Sequence, residues 1–247
     1  MRQPALNTTL ISNPVTNAGE RNTRARERNT DTALTLTPDR AKRALYIDFE
    51  GEGIRGDGEI PPPVMLGIYC RDGCPSHRVQ ILESTLKPLV HAGFSSECFD
   101  HIEAAIHSLL DQARSEDRDI LYFSQHEQDM VNRFCSHQTA NEFTARSGNA
   151  KLLLKRWVRR TGKTRCHTLE DYCQVIDRTP YEAPKPSVAE AIRRLRKACG
   201  TTRRWRHMES NKKKLAKQLF AYNKQDCLAL FKLTKKAANC LNRSRLR

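Results

Sequence analysis

The chain of 247 residues contains no run of 18 apolar residues, which excludes a helical membrane span, since crossing a bilayer takes about 20 such residues. Its start lacks a leader pattern, and with nine Cys this sets the expectation of free thiols in a reducing, intracellular, cytoplasmic setting. No internal repeat is present. Acidic residues are scarce in the second half: residues 151–247 hold 27 basic and 7 acidic side chains, net +20, whereas residues 1–150 hold 16 and 21, net −5. Overall, 43 Lys and Arg stand against 28 Asp and Glu, a formal +15. Basicity confined to one half points to a polyanion groove, with DNA or RNA as the expected partner and no membrane. A solvated basic surface is the plainer alternative. Nothing in the sequence identifies a protein partner.

The length suits one sizeable domain. Residues 1–40 are polar, rich in Asn, Thr and Arg, without a sustained apolar period, and read as a disordered tail. Residues 41–240 read as the folded domain and 241–247 as a basic C-terminal tail. Leu45, Ile47 and Phe49 alternate with Tyr46, Asp48 and Glu50, a strand ended by Gly51 and Gly53. After the breakers Gly56, Asp57, Gly58 and Pro61–Pro63, the stretches 64–69 and 78–82 read as two further strands turning at Asp72-Gly73. Together they suggest an antiparallel meander. Cys70, Cys74, His77, Cys98 and His101 match no strong zinc spacing. Apolar periodicity predicts a helix over 99–113, then a fourth strand, 119–123, running into a helix that buries Met130, Val131 and Phe134.

Chemistry gathers at three places. Side chains alternate at period two, so Asp48 and Glu50 project from one face of the first strand, where two such close carboxylates repel unless a divalent cation lies between them. Glu127 lies over the inner face of its helix and Asp129 is turned away. By itself, Glu127 is equally a first-turn residue favourable to the helix dipole. Near the C-terminus, Leu215, Leu219, Tyr222, Leu230 and Leu233 mark one helical face, and Asp226 falls on it. A carboxylate in a core-facing stripe requires a cation, donors or a metal ion. Tyr222, one turn earlier, brings a hydroxyl to the same place.

The basic half lies between the last two of these. A helix over 151–160 turns Leu152, Leu153, Trp157 and Val158 inward, with Lys155, Arg156, Arg159 and Arg160 around it. A second helix from Ser187 or Val188 to Cys199 keeps Ala191, Ile192 and Leu195 inward and Arg193, Arg194, Arg196 and Lys197 outside. Arg203, Arg204 and Arg206 then surround Trp205 in a loop. Lys155, Arg156, Arg203, Arg204 and Arg206 are the candidate nucleic-acid contacts, since Arg with an interleaved aromatic suits phosphate contact and base stacking. Trp205 as a core residue is the competing reading.

Asp48-x-Glu50, an acid just after the fourth strand and Tyr222-x-x-x-Asp226 resemble, in order, the three motifs of DEDDy-type exonucleases of the ribonuclease H-like superfamily. Leu-Tyr-Ile-Asp-Phe-Glu, Ser-Gln-His-Glu and Tyr-Asn-Lys-Gln-Asp-Cys resemble more closely the YprB-type ribonuclease H-like domains. The resemblance covers roughly residues 44–236 and implies an α/β, ribonuclease H-like fold, a mixed central β-sheet flanked by α-helices. It also implies two divalent ions, Mg²⁺ or Mn²⁺, held by Asp48, Glu50, Glu127 and Asp226, with Tyr222 orienting the attacking water. Many relatives carry the second-motif acid in an Asn-x-x-x-Phe-Asp context, which a gapless alignment places at Asp129. The expected activity is phosphodiester hydrolysis of DNA or RNA as a 3′-5′ exonuclease, two metals about 4 Å apart stabilising both the entering and leaving oxygens. The alternative is a catalytically inactive nucleic-acid-binding domain of the same fold in a larger assembly.

Overall fold

The computed structural model describes residues 35–53, 56, 58–92, 96–162, 166–177 and 186–243. A short helix α1 (Pro38–Arg43), capped by the Thr37 hydroxyl, leads into strand β1 (Leu45–Glu50). Strands β2 (Met65–Tyr69) and β3 (His77–Ile81) complete the meander, and a 3₁₀ helix (Ser84–His91) follows. Then come β4 (Ser96–Cys98), α2 (Ile102–Ser115), β5 (Ile120–Tyr122), α3 (Gln125–Phe134), α4 (His137–Arg146) and β6 (Ser147–Asn149). The basic half supplies α5 (Ala150–Arg160), α6 (Leu169–Asp177), α7 (Val188–Thr201), a 3₁₀ turn (Trp205–His207) and the 34-residue α8 (Ser210–Arg243).

The six strands form one mixed sheet in the order β4-β3-β2-β1-β5-β6. β1 to β3 pair antiparallel, as the alternation predicts, while β5, β6 and β4 join parallel to their neighbours. The architecture is therefore α/β, with helices on both faces. Leu45, Ile47 and Phe49 face α2, α3 and α4 in one apolar cluster. Tyr46, Tyr69 and Leu121 face α1, α5, α6 and the C-terminal half of α8 in a second. Asp48 and Glu50 share the parity of Tyr46, so β1 delivers both carboxylates to the α8 side. A third cluster joins the first 3₁₀ helix to α7 and the start of α8 through Leu86, Leu89, Ile192, Leu195, Leu219 and Phe220.

Several expectations are corrected. The boundary at residue 40 falls inside α1, and Leu36 is buried, because Tyr46, Leu230 and Phe231 form an apolar seat for this segment. Residues 1–34 lie outside the described residues. At the other end, α8 continues to Arg243, so 241–243 belong to the helix and 244–247 lie outside the described residues. The strand expected as fourth is the fifth, since the short β4 carries no alternation to read. In α5, Leu154 is buried and Leu152 only partly so.

Candidate metal centre

β1 and α8 cross so that carboxylate oxygens of Asp48, Glu50 and Asp226 lie within 4.8 Å of one another. Glu50 and Asp226 are buried and Asp48 is half-buried. Three like charges this close, withdrawn from water, cannot all ionise without an opposing charge. Burial first, and then the neighbouring carboxylates, raise all three: Asp48 well above the ordinary range, Glu50 to about 8 and Asp226 to about 9. Each of the Asp48 and Glu50 carboxyls acts on the other, so the pair titrates as a unit that holds protons more tightly than isolated carboxyls when no cation is present.

The geometry depends on a residue that the sequence reading missed. Asn223, one turn before Cys227 and fully buried, aims its side-chain nitrogen at β1. That nitrogen donates to Asp48 Oδ2 at 2.9 Å, to the Asp48 carbonyl at 3.3 Å and to Glu50 Oε1 at 3.4 Å. Its Oδ1 lies 3.2 Å from Nε2 of the buried His77 on β3. With the amide nitrogen committed to carboxylates, Oδ1 is the acceptor and His77 Nε2 carries the hydrogen. Burial lowers His77 to about 4, which keeps the ring neutral. The approach of α8 is possible because β2 places Gly67 opposite Asp48; a Cβ there would lie 1.6 Å from Asn223 Oδ1. A glycine inside a strand pattern is the signal that could have shown this contact.

Glu127 is buried at the third position of α3, where Ser124 caps the helix. Its Oε2 accepts from the Ser124 backbone N–H at 3.1 Å and from the Ser124 hydroxyl at 3.0 Å. It is not one of the three residues within 4.8 Å, but its charge helps to raise Asp48 and Asp226. Glu127 thus borders the centre as a cap. Asp129 is exposed and accepts from Gln125 Nε2 at 3.3 Å, turned away as the helical phase predicts. Tyr222 is half-buried, and burial first, then Glu50 and Asp48, push its hydroxyl further up, so it stays protonated. Lys151, also missed as a site residue, lies at the start of α5 with its ammonium 5.0 Å above the Phe123 ring and Glu127 among its charged neighbours.

The donor set fits a hard divalent cation. All three groups offer oxygen, and buried Asp226 Oδ1 has no hydrogen-bond partner, an orphan that a cation would satisfy. Beside Glu50 opens a cleft of about 340 Å³ walled by Ile60, Pro61, Pro63, His126, Met130 and Val188. The cysteine and histidine candidates do not assemble: His77 is engaged by Asn223, His101 Nδ1 caps α2, and Cys70 lies 3.0 Å from Asp72. Among the described residues, the Asp48, Glu50 and Asp226 group is the cluster able to hold a metal ion. None of the nine cysteines forms a disulfide, and no described helix is long and apolar enough to cross a membrane.

The candidate nucleic-acid contacts fall in two separate places. Lys155 is exposed and Arg156 half-buried on α5, which packs against the C-terminal half of α8. Arg203, Arg204 and Arg206 are exposed around the 3₁₀ turn, whose Trp205 is half-buried below the Lys213 ammonium at the other end of α8. Arg196, expected outward, pairs instead with Glu52 and with Glu83, the latter at 2.7 Å. The sequence matches no protein-family model and no curated protein.

Proposed function

We propose that this protein is a divalent-metal-dependent nuclease of the ribonuclease H-like, DEDDy type, hydrolysing phosphodiester bonds of DNA or RNA, with 3′-5′ exonuclease action as its expected mode. The observation that carries this reading is the meeting of Asp48, Glu50 and Asp226 from two distant segments around the orphaned Asp226 Oδ1. Three desolvated carboxylates destabilise a fold unless a cation compensates them, and a domain that merely bound a polyanion would gain nothing from acids beside it.

The Asn223 amide fixes the rotamers of Asp48 and Glu50, presenting their remaining oxygens to a common point. Mg²⁺ or Mn²⁺, two ions in this reading, would be held by Asp48, Glu50 and Asp226 with Glu127 at the border, and would stabilise charge on the attacking and leaving oxygens of an in-line displacement. Tyr222 keeps its proton and positions a water molecule rather than deprotonating it. The cleft beside Glu50 is large enough for a single nucleotide, its apolar walls matching sugar and base. Lys155 and Arg156 on one side, and Arg203, Arg204 and Arg206 on the other, supply phosphate contacts.

The test is an assay of the purified protein on end-labelled single- and double-stranded DNA and RNA with Mg²⁺, Mn²⁺ or chelator. Metal-dependent shortening from the 3′ end supports the reading. Absence of cleavage in every combination, with unaltered melting on adding metal, would overturn it.

A further inference from the structure

A cavity among the basic segments lies away from the carboxylates. It holds about 760 Å³ between the first 3₁₀ helix and the connection from α7 to α8, and none of its lining residues belongs to the metal centre. Four cations line it: Lys87 from the 3₁₀ helix and Arg203, Arg204 and Arg206 from the connection. Trp205 and Pro88 form an apolar wall, and no acidic residue lines it. Lys87 and the three arginines are all exposed, and among the described residues none of them forms an ion pair. This contrasts with neighbouring Arg196, which Glu52 and Glu83 neutralise.

Each of these features selects for the same kind of occupant. Unpaired cations converging on one concavity call for several negative charges at once, as along a phosphate backbone. The half-buried indole wall adds a surface against which a base can lie. In a duplex the bases are stacked inside and their flat faces cannot lie against a ring in a cavity wall, whereas an unpaired strand can turn a base toward it. Cavity and metal centre are linked through α8: Lys213 stands over Trp205 at 5.9 Å, and Asp226 follows 13 residues later, about 20 Å along a helix. Arg196 braces the path, joining α7 to Glu52 in the loop after β1 and to Glu83 before the 3₁₀ helix.

We propose that this cavity holds an unpaired stretch of a nucleic-acid strand, its phosphates on Lys87, Arg203, Arg204 and Arg206 and a base against Trp205. The proposal deepens the nuclease reading by naming its substrate as single-stranded; it rests on that reading for cleavage but not for binding. Lys87 and the concave shape come from the fold, since residue 87 lies more than a hundred positions from the arginines in sequence.

The experiment measures binding in chelator, with the full chain and fluorescein-labelled twelve-nucleotide oligo(dT), oligo(rU) and a fully paired hairpin as probes. Anisotropy should show one or both single strands bound in preference to the hairpin, the two strands distinguishing DNA from RNA. Four phosphate contacts predict an affinity loss of about 50-fold between 50 and 200 mM salt. Replacing Lys87, Arg203, Arg204 and Arg206 together by Gln should flatten that dependence. The other tryptophan of the chain, Trp157, is buried, so strand binding should quench the fluorescence of Trp205, and Trp205→Phe should remove the quench and weaken single-strand binding through the poorer stacking of the smaller ring. Wild-type affinity and salt slope in the quadruple variant, equal binding of the hairpin, or a quench that survives Trp205→Phe would each overturn the proposal. Binding in chelator with no cleavage once Mg²⁺ or Mn²⁺ is supplied would defeat the nuclease reading alone. Cleavage by a quadruple variant that still binds as wild type would defeat the cavity alone.

Discussion

The metal centre, built on α8, and the basic cavity, which lies just before that helix begins, treat charge in opposite ways. At the centre three carboxylates are packed within 4.8 Å, Glu50 and Asp226 buried and Asp48 half-buried, with a buried amide orienting Asp48 and Glu50. At the cavity four cations remain in water, without carboxylate partners among the described residues. Buried like charges have a steep energy and accept a narrow class of partner, whereas exposed cations interact weakly, additively and with salt sensitivity. Perturbing the first should therefore act almost as a switch, and perturbing the second as a dial.

The switch is tested most severely by Asp226→Asn. It removes one charge from the cluster and converts the orphaned Oδ1 into part of a neutral amide. Cleavage should fall to background and the rise in melting temperature on adding Mn²⁺ should vanish, because ligand stabilisation requires the intact site. In chelator the same variant should melt no lower than wild type, since a buried carboxyl that the metal-free fold must hold protonated is replaced by a neutral amide. Cleavage at the wild-type rate would remove Asp226 from the mechanism.

A smaller effect is expected from the layer beneath. Asn223→Ala leaves Asp48 and Glu50 without their shared donor, and loss of such a supporting residue typically lowers metal affinity or activity about 10–100-fold. Gly67→Ala should have a related effect by a different route. Its Cβ would collide with Asn223 Oδ1, so α8 or the amide must shift, at about 1–3 kcal/mol for an overpacked interior. Metal titration followed by calorimetry separates the two: Asn223→Ala should weaken metal binding more than it lowers melting, and Gly67→Ala should lower both.

These two residues also mark where the sequence stopped being legible. The alternation of Leu45, Ile47 and Phe49 with Asp48 and Glu50 yields both the strand and the face that carries the acids, because period two is local physics. Asp226 stands out on its helix because a charge in an apolar stripe needs a partner. The long-range contacts were hidden: Asn223 and His77 are 146 positions apart, and neither is unusual among its neighbours. The buried face of α8 therefore turns slightly from the leucine stripe, toward Asn223 and Cys227. Short β4 and β6, three residues each, leave no periodicity to detect. The cavity draws Lys87 and the arginines from segments that only the fold brings together.

The protonation of the centre provides a graded test. Glu50, at about 8, and Asp226, at about 9, hold protons in the folded protein that the unfolded chain releases near the ordinary carboxylate value of about 4. Between those limits the native state binds more protons, so in chelator these groups make stability fall as pH rises from about 4 to 9. Metal binding displaces the protons and should reverse the trend, with Mn²⁺ raising the melting temperature more at pH 8 than at pH 6. A stabilisation by metal that is independent of pH over this range would show that the cation binds elsewhere.

The smallest effects decide the role of the second acid. In Glu127→Gln the side-chain oxygen can still accept from the Ser124 N–H and hydroxyl, so the capping box is kept and only the charge beside Asp48 is lost. If Glu127 serves the centre as well as the cap, cleavage should fall about tenfold or more while the metal-free protein melts at or slightly above the wild-type temperature, one repulsive neighbour having been removed. A cap alone predicts unchanged cleavage. Asp129→Asn touches an exposed carboxylate whose partner is Gln125, and a surface change of this kind stays within about 0.5 kcal/mol with no effect on rate. Should Asp129→Asn abolish cleavage while Glu127→Gln remains active, the first turn of α3 must reorient when metal and strand bind, and the acid at the centre would be the one that points to solvent here.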